Sequence, residues 1–134
     1  MKTLDVACAI IVRNKKILVA QRSEVMSIPL KWEFPGGKIN SNETEEQCLH
    51  RELKEELNIY VEIERKLSTV FYDYGHFKVN IIPFIASYKH GTISLLEHKE
   101  IKWIEKRELN HLEWVPADVL IIMELQSLDL PQYM

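Results

Sequence analysis

Two nearly continuous apolar runs near the start of the chain are typical of buried β-strands. Residues 6–13 and 17–22 are rich in apolar and β-branched side chains, and Asn14-Lys15 between them is typical of a hairpin turn. Residues 32–34 form a short aromatic run that ends at Pro35 and two glycines. The pattern therefore predicts three strands, of which the third leads into a tight turn.

The apolar period then lengthens to about four residues, which predicts an amphipathic helix. Thr44 and Gln47 fit a capping box at its start, and Asn58 suits the left-handed position that ends a helix. We therefore expect the helix to begin near Thr44 and to end at Asn58. Its buried stripe consists of three leucines, Leu49, Leu53 and Leu57.

The second half of the chain predicts further strands and a closing helix. Strands are expected over residues 60–63, 68–72, 77–86 and 101–104. Pro83 cannot donate a ladder hydrogen bond, so its strand should lie at a sheet edge or carry a bulge. A final helix should run from Pro116 to about Leu128. Its buried side is expected to contain Val119, Leu120, Ile122, Met123 and Leu125.

This order of elements predicts the α/β class, with a mixed β-sheet sandwiched between helices (α/β/α). We expect a single domain that covers residues 1–134, because the sequence contains no repeat, low-complexity tract or flexible linker. The longest apolar runs fall far short of the ~20 residues that a transmembrane helix needs. Cys8 and Cys48 lie among apolar neighbours, which indicates buried, reduced thiols in a cytoplasmic protein.

The charge balance narrows the range of partners. Lys and Arg number 17 against 20 Asp and Glu, giving a net charge of -3. Because nucleic-acid binding depends on neutralising phosphates, a chain without a basic cluster is a poor candidate for binding a long nucleic acid. We expect a monomer or homodimer that binds neither membranes nor long nucleic acids.

Three carboxylates fall on one side of the predicted central helix. Glu52, Glu55 and Glu56 lie within about 100° of arc, beside the leucine stripe. Two carboxylates ~5 Å apart repel by roughly 1 kcal/mol in water and about 3 kcal/mol at an effective dielectric near 20. Such a cluster favours a compensating cation, and oxygen ligands favour Mg²⁺ or Mn²⁺ with substrate phosphates completing the coordination. The alternative is a solvated helix face with pairs such as Arg51 and Glu55.

The spacing of the wider segment decides between these interpretations. It reads Gly37, five residues, Glu43, seven residues, Arg51-Glu52-Leu53, one residue, Glu55-Glu56, one residue, Asn58-Ile59. This pattern resembles the Nudix box, with Asn58 where the family has glycine. Asn tolerates the same left-handed conformation at modest cost. The preceding WEFPGGK, residues 32–38, resembles the MutT-like branch of the Nudix hydrolases.

The resemblance implies a Nudix fold and a Mg²⁺ or Mn²⁺ site. The implied metal ligands are the carbonyl of Gly36 or Gly37 with Glu52, Glu55, Glu56 and Glu97. Glu43 and Arg51 match a supporting pair that orients the cluster. Glu97 matches a downstream acid that completes the metal site or acts as the base. Glu100 and a merely solvated Glu97 are the alternatives to this last assignment.

The resemblance also assigns roles around the substrate. Lys38 and Gly37 are placed to meet a phosphate, and Glu52, Glu56 or Glu97 would take the proton of the attacking water. Arg22 and Phe34 match positions that meet the base, although each alone is also compatible with a structural role.

Asp118 matches an Asp in CTP pyrophosphohydrolases and an Asn in the 8-oxo-dGTP enzyme. Because an ionised carboxylate only accepts hydrogen bonds, Asp118 favours a donor-rich base edge such as the cytosine amino group. The alternative is that Asp118 caps the final helix.

The implied activity is hydrolysis of a phosphoanhydride in a (deoxy)nucleoside triphosphate, which releases a monophosphate and pyrophosphate. MutT-like enzymes of this kind cleanse the nucleotide pool of 8-oxo-dGTP, a function in DNA repair, or act on CTP and modified dCTP. Two alternatives stay open. One is a Nudix pyrophosphohydrolase for ADP-ribose, dinucleoside polyphosphates or RNA 5′ ends, and the other is a non-catalytic nucleotide sensor.

Overall fold

A computed structural model describes residues 2–130 of the chain, within which eight strands form one mixed sheet. The strands are β1 (Lys2–Arg13), β2 (Lys16–Gln21), β3 (Trp32–Glu33), β4 (Gly36–Lys38), β5 (Tyr60–Lys66), β6 (Val70–Asp73), β7 (Phe77–His90) and β8 (Glu100–Ile104). The helices are α1 (Glu45–Leu57), a 3₁₀-helix (Lys106–His111) and α2 (Pro116–Leu125). Among these described elements, no helix is long and apolar enough to cross a membrane.

The sheet is built around two long parallel strands, β1 and β7, which pair from Lys2 with Phe77 to Val12 with Ser87. The strand order is β3-β2-β1-β7-β5. Along its other edge, β1 pairs with two strands. It pairs with β2 at Val12 and Arg13, and with β4 at Val6, Ala7 and Cys8. This arrangement brings the turn before β4 close to the middle of the sheet.

Side chains of β1 alternate between two cores, one on each face of the sheet. Ala7, Ala9 and Ile11 pack with the leucine stripe of α1, whose members are fully buried. Cys8, Ile10 and Val12 belong to the opposite core, with α2. The predicted mixed sheet between helices is confirmed, and both cysteines are buried and free.

Helix α1 has the ends that the sequence predicts. The Thr44 side chain accepts from the Gln47 backbone N–H, while the Gln47 side chain accepts from the Thr44 N–H. Asn58 closes the helix in the left-handed conformation, with φ 59°. Local signals therefore define this helix, which carries most of the candidate site.

The expected buried side of α2 is wrong in part. Ile122 and Leu125 are buried as predicted, but Val119, Leu120 and Met123 are exposed by 44%, 39% and 66%. The helix buries instead a side that includes Ala117, Asp118 and Ile121, and it ends at Leu125. Apolar residues occur all round this helix, so their pattern alone does not define which side faces the core.

Of the two alternatives predicted for the strand of Pro83, the sheet edge is wrong, because β7 is an interior strand. The other alternative, a bulge, is found in the pairing of β7 with β5, whose register shifts between Tyr60 and Val61 and between Ile63 and Arg65. Pairing of β7 passes from β6, ending at Ile81, to β5, beginning at Phe84. Pro83 lies between these two positions, and its carbonyl accepts from the Leu67 N–H at 2.8 Å. No ladder donor is needed there, so an interior proline is tolerated without a bulge at that position.

Candidate active site

A cavity of about 430 Å³ opens between the start of α2, the β3–β4 segment and α1. Its wall includes many residues that the sequence singles out: Arg22, Phe34, Gly36, Gly37, Lys38, Glu56, Glu97 and Asp118. A larger hollow of about 720 Å³ lies beside the start of α1, but Asp5, Glu43, Glu45 and Glu46 line it. That lining contains no Lys or Arg to contact a polyphosphate, whereas Arg22 and Lys38 line the smaller cavity, which is therefore the better candidate for a nucleotide site.

Glu56 lies at the inner end of this cavity and links α1 to β4. Its side chain is 7% exposed, and its Oε1 accepts from the Gly36 N–H at 3.1 Å. Burial raises the pKa of Glu56 to about 9, and the charges of Glu33, Glu52 and Glu97 contribute to the increase. Burial also raises the pKa of Glu52. The site thus holds more negative charge than its own protein groups neutralise.

A side chain at either glycine before α1 would meet a close contact, with backbone at Gly36 and with the end of a flexible side chain at Gly37. A Cβ on Gly36 would overlap the carbonyl oxygen of Ala7 in β1, and a Cβ on Gly37 would overlap the Glu52 carboxylate. The second contact shows that Glu52 lies directly against the β4 backbone. The glycines therefore allow the helix carboxylates and the β4 carbonyls to share one small space.

Arg51 is the cation that this part of the protein supplies. It binds Glu43 through two bonds, from Nη2 at 2.6 Å and from Nε at 3.0 Å. Its Nη1 also contacts Glu52 at 2.8 Å and Glu55 at 3.2 Å, and its Nη2 donates to the Lys38 carbonyl. The hydrogen bond from Arg51 lowers the pKa of Glu43 to about 2. The structure thus joins Glu43 and Arg51 beside the carboxylate cluster.

The carboxylate oxygens at this site are of the type that binds hard divalent cations. Glu52 and Glu56 supply oxygen ligands, and the pKa of each is raised by burial and by the charges of neighbouring glutamates; a cation would offset both effects. Within residues 2–130, however, no three Asp, Glu, His or Cys side chains converge into a ready-made cage. Glu55 is half-exposed and turned to Arg51. Arg51 therefore competes with a metal for Glu52 and Glu55.

Glu97, rather than Glu100, faces this cluster. Glu97 lines the cavity and raises the pKa of both Glu52 and Glu56. Glu100 is exposed and begins β8, where it pairs with Gln21. The loop before β8 thus brings Glu97 to the side of the cavity where Glu56 lies.

Asp118 lies at the other side of the cavity and does not cap α2. It is 4% exposed, and its Oδ2 accepts from the Phe34 N–H at 2.9 Å. The N-cap of α2 is Val115, which makes no side-chain cap. Burial raises the pKa of Asp118 to about 8, which favours the neutral form near pH 7. A neutral carboxyl donates as well as accepts hydrogen bonds, so the preference of Asp118 for a donor-rich base edge stays a prediction.

Arg22 and Phe34 have structural contacts at the cavity wall. Phe34 is 3% exposed and packs on Trp114, with ring centroids 4.9 Å apart. Arg22 donates to Glu33 at 2.8 Å, to the Ser27 carbonyl at 2.7 Å and to the Ser27 hydroxyl at 3.1 Å. These bonds hold the loop between β2 and β3 against the cavity.

Sequence reasoning missed several polar groups around the cavity. Glu33 lines it and bonds both Arg22 and His98. The Tyr74 hydroxyl accepts from the Ala117 N–H at 3.1 Å, and its ring stacks on Phe77 at 5.1 Å. A glutamate between two aromatic residues of a short strand was an available signal for Glu33. His98 lies in a loop, where periodicity carries no information.

Comparison with known proteins agrees with this geometry. The family model described as NUDIX domain matches residues 1–131. A CTP pyrophosphohydrolase from Escherichia coli strain K12 is 31% identical over 128 residues, which cover 96% of this chain and 95% of the relative. An 8-oxo-dGTP diphosphatase from Haemophilus influenzae is 33% identical over 127 residues, covering 92% of each chain.

A solved structure gives the same result for the fold. The solution NMR structure of the DNA mismatch repair protein MutT from methicillin-resistant Staphylococcus aureus 252 has a TM-score of 0.75 and 40% identity. The match covers 95% of this chain and 98% of that one. The chain belongs to the Nudix family. Its predicted class, a hydrolase of phosphorus-containing anhydrides of the MutT-like type, is confirmed, and Nudix hydrolases generally use a divalent metal.

Proposed function

We propose that this protein hydrolyses (deoxy)nucleoside triphosphates to a monophosphate and pyrophosphate with Mg²⁺ or Mn²⁺. The observation that carries the proposal is one cavity with Glu56 and Glu97 at one side and the buried Asp118 at the other. The polyphosphate would bind at the side with Glu56 and Glu97, where a metal would neutralise the carboxylates. A nucleobase suits the side with Asp118, which is apolar apart from a few polar groups.

In this proposal, the side chains of the Nudix box have the following roles. Glu52, Glu55, Glu56 and Glu97, with the carbonyl of Gly36 or Gly37, would hold the metal. Bound metal supplies a Lewis acid and lowers the pKa of an attacking water. Either Glu52, Glu56 or Glu97 accepts the proton of that water at a carboxylate oxygen.

The supporting residues position this machinery. Arg51, held by Glu43 through two bonds, would orient Glu52, and a metal held by Glu55 would replace the contact between Arg51 and Glu55. Lys38 and the Gly37 backbone meet the phosphates at the cavity mouth. Lys38 is exposed and lines the cavity, as such a role requires.

The base specificity that we propose includes 8-oxo-dGTP as well as CTP and modified dCTP, in keeping with the names of the relatives. A neutral Asp118 supports this breadth, because it can donate to a carbonyl or accept from an amino group. Phe34 and Arg22 border the same space. A role in removing modified nucleotides from the pool follows from this specificity.

The test is a substrate panel with purified protein and Mg²⁺. It compares CTP, dCTP, 5-methyl-dCTP, 8-oxo-dGTP and 2-hydroxy-dATP with ADP-ribose, and it quantifies monophosphate and pyrophosphate. We expect a triphosphate to be the best substrate and pyrophosphate to be released. Preference for ADP-ribose, or binding of every nucleotide without turnover, would contradict the proposal. The second result would favour the sensor, although the box glutamates that catalysis needs are all present.

A further inference from the structure

The loop that carries Glu97 is tied to its neighbours by backbone bonds on either side of that residue. The Leu96 N–H donates to the Glu56 carbonyl at 3.2 Å, and the Lys99 N–H donates to the Gln21 carbonyl at 2.9 Å. These bonds hold the two ends of a short span against α1 and β2. They flank Glu97 and His98 but involve the backbone of neither residue.

His98 is buried in a way that packing alone does not explain. Its side chain has 0% exposure, and Nε2 lies 2.8 Å from Oε2 of Glu33. Among the described residues, Nδ1 has no hydrogen-bond partner. A buried polar atom without a partner is unfavourable, so an apolar residue would serve better if the position only filled space. The bond to Glu33 is the feature that distinguishes His98 from such a residue.

The bond joins the Glu97 loop to β3, whose Glu33 also lines the cavity. The other oxygen of Glu33 binds Arg22 at 2.8 Å, and Arg22 in turn binds Ser27. A continuous set of polar contacts thus runs from the β2–β3 loop through Glu33 to His98. Glu33 comes from β3, shortly before the segment that carries Gly36 and Gly37, so it is a fixed point close to the carboxylate cluster.

We propose that His98 is a positioning residue, which through its bond to Glu33 sets the place of Glu97 beside Glu56 and thereby the affinity for divalent metal. The inference rests on the proposed function, because it takes Glu97 as part of the metal site. It assigns His98 no contact with substrate. It also gives Glu33 a purpose beyond lining the cavity, as the anchor for both Arg22 and His98.

Two variants of equal side-chain length separate the bond from the packing. His98→Gln keeps a terminal donor that can reach Glu33, whereas His98→Met does not. Mn²⁺ binding to the full-length protein without nucleotide is measured by titration, with free Mn²⁺ detected by electron paramagnetic resonance. We expect His98→Met to weaken Mn²⁺ binding about tenfold and His98→Gln to stay within about twofold of wild type. Unchanged binding by His98→Met, or equal weakening by both variants, overturns the proposal.

A variant of the partner tests whether His98 acts through Glu33. Glu33→Met should weaken Mn²⁺ binding like His98→Met, and the double variant should add nothing further. A full additional tenfold loss in the double variant overturns the proposal. If His98→Met does not fold, as judged by circular dichroism, Glu33→Met and Glu33→Gln decide together, because Gln loses the charge but keeps a hydrogen-bond partner for His98. A tenfold loss with Met and near-wild-type binding with Gln support the proposal, and equal binding by the two variants overturns it.

Failure of this inference can be told apart from failure of the proposed function. If Glu56→Gln loses Mn²⁺ binding while His98→Met retains it, the metal site stands and His98 has no positioning role. If the wild type binds Mn²⁺ no better than Glu56→Gln and releases no pyrophosphate from any nucleotide, the proposed function itself fails.

Discussion

Replacing Asp118 by Asn should change how the stability of the fold depends on pH. In the folded protein, burial raises the pKa of Asp118 from 3.8 to about 8. A group whose pKa is raised by folding contributes its stability fully below the unfolded value and loses it as pH rises through the folded value. The amide introduced by Asp118→Asn does not titrate, and its oxygen can still accept from the Phe34 N–H that Asp118 binds.

The size of this pH effect on stability follows from the pKa values of Asp118 in the unfolded and folded protein. Each pH unit between them costs about 1.4 kcal/mol of folding free energy, and the loss flattens once the folded group ionises near pH 8. Between pH 6 and pH 9, wild type should therefore lose about 2 to 3 kcal/mol relative to Asp118→Asn. Glu56, whose pKa is raised to about 9, is present in both proteins, so its titration cancels in the difference.

Urea unfolding of both proteins at pH 6, 7, 8 and 9 measures this difference directly. We expect the two free energies of unfolding to diverge in favour of Asp118→Asn as pH rises. Parallel pH profiles would refute the reasoning, because they would show that Asp118 ionises as readily in the folded protein as in the unfolded chain.

Two further predictions concern the carboxylate cluster. Arg51→Lys keeps the charge but loses the two-bond contact with Glu43, so kcat/KM should fall about 10- to 100-fold. The control Arg107→Lys, at an exposed position, should leave kcat/KM unchanged. Equal kcat/KM for the two variants would count against the pair of Glu43 and Arg51. Gly37→Ala would push against the Glu52 carboxylate, so Mn²⁺ binding should weaken at least about tenfold. Asn110→Ala is its control, because Asn110 is exposed in the 3₁₀-helix and does not line the cavity, and Mn²⁺ binding that is equal in the two variants would contradict the contact.

The sequence predicts well those features of the site that depend on contacts between residues close together in the chain. The capping box at Thr44, the left-handed Asn58 and the four-residue leucine period all involve neighbours within one helix. They place Glu52 and Glu56 on one helix and leave little freedom for their relative positions. The spacing of Gly37 and Glu43 from Arg51 then adds the β4 turn, because a single short loop connects it to α1.

The parts that the sequence does not predict depend on distant contacts or on burial. Glu33 and His98 are 65 residues apart and meet because β8 returns beside β2. The buried side of α2 depends on the sheet that it packs against, since the helix itself is apolar nearly all round. The charge state of Asp118 depends on its burial, which no pattern around Pro116 reveals. Pro83 is tolerated because two other strands end beside it.

The central claim is that Glu56 belongs to a metal site that cleaves nucleoside triphosphates. Its most direct test compares wild type with Glu56→Gln at saturating Mg²⁺, on the best triphosphate, with the products separated by ion-exchange chromatography. We predict that wild type releases one pyrophosphate per monophosphate and that turnover by Glu56→Gln is about a thousandfold slower, a loss of ~4 kcal/mol of transition-state stabilisation. Turnover by Glu56→Gln at the wild-type rate, or release of orthophosphate in place of pyrophosphate by wild type, would contradict the claim.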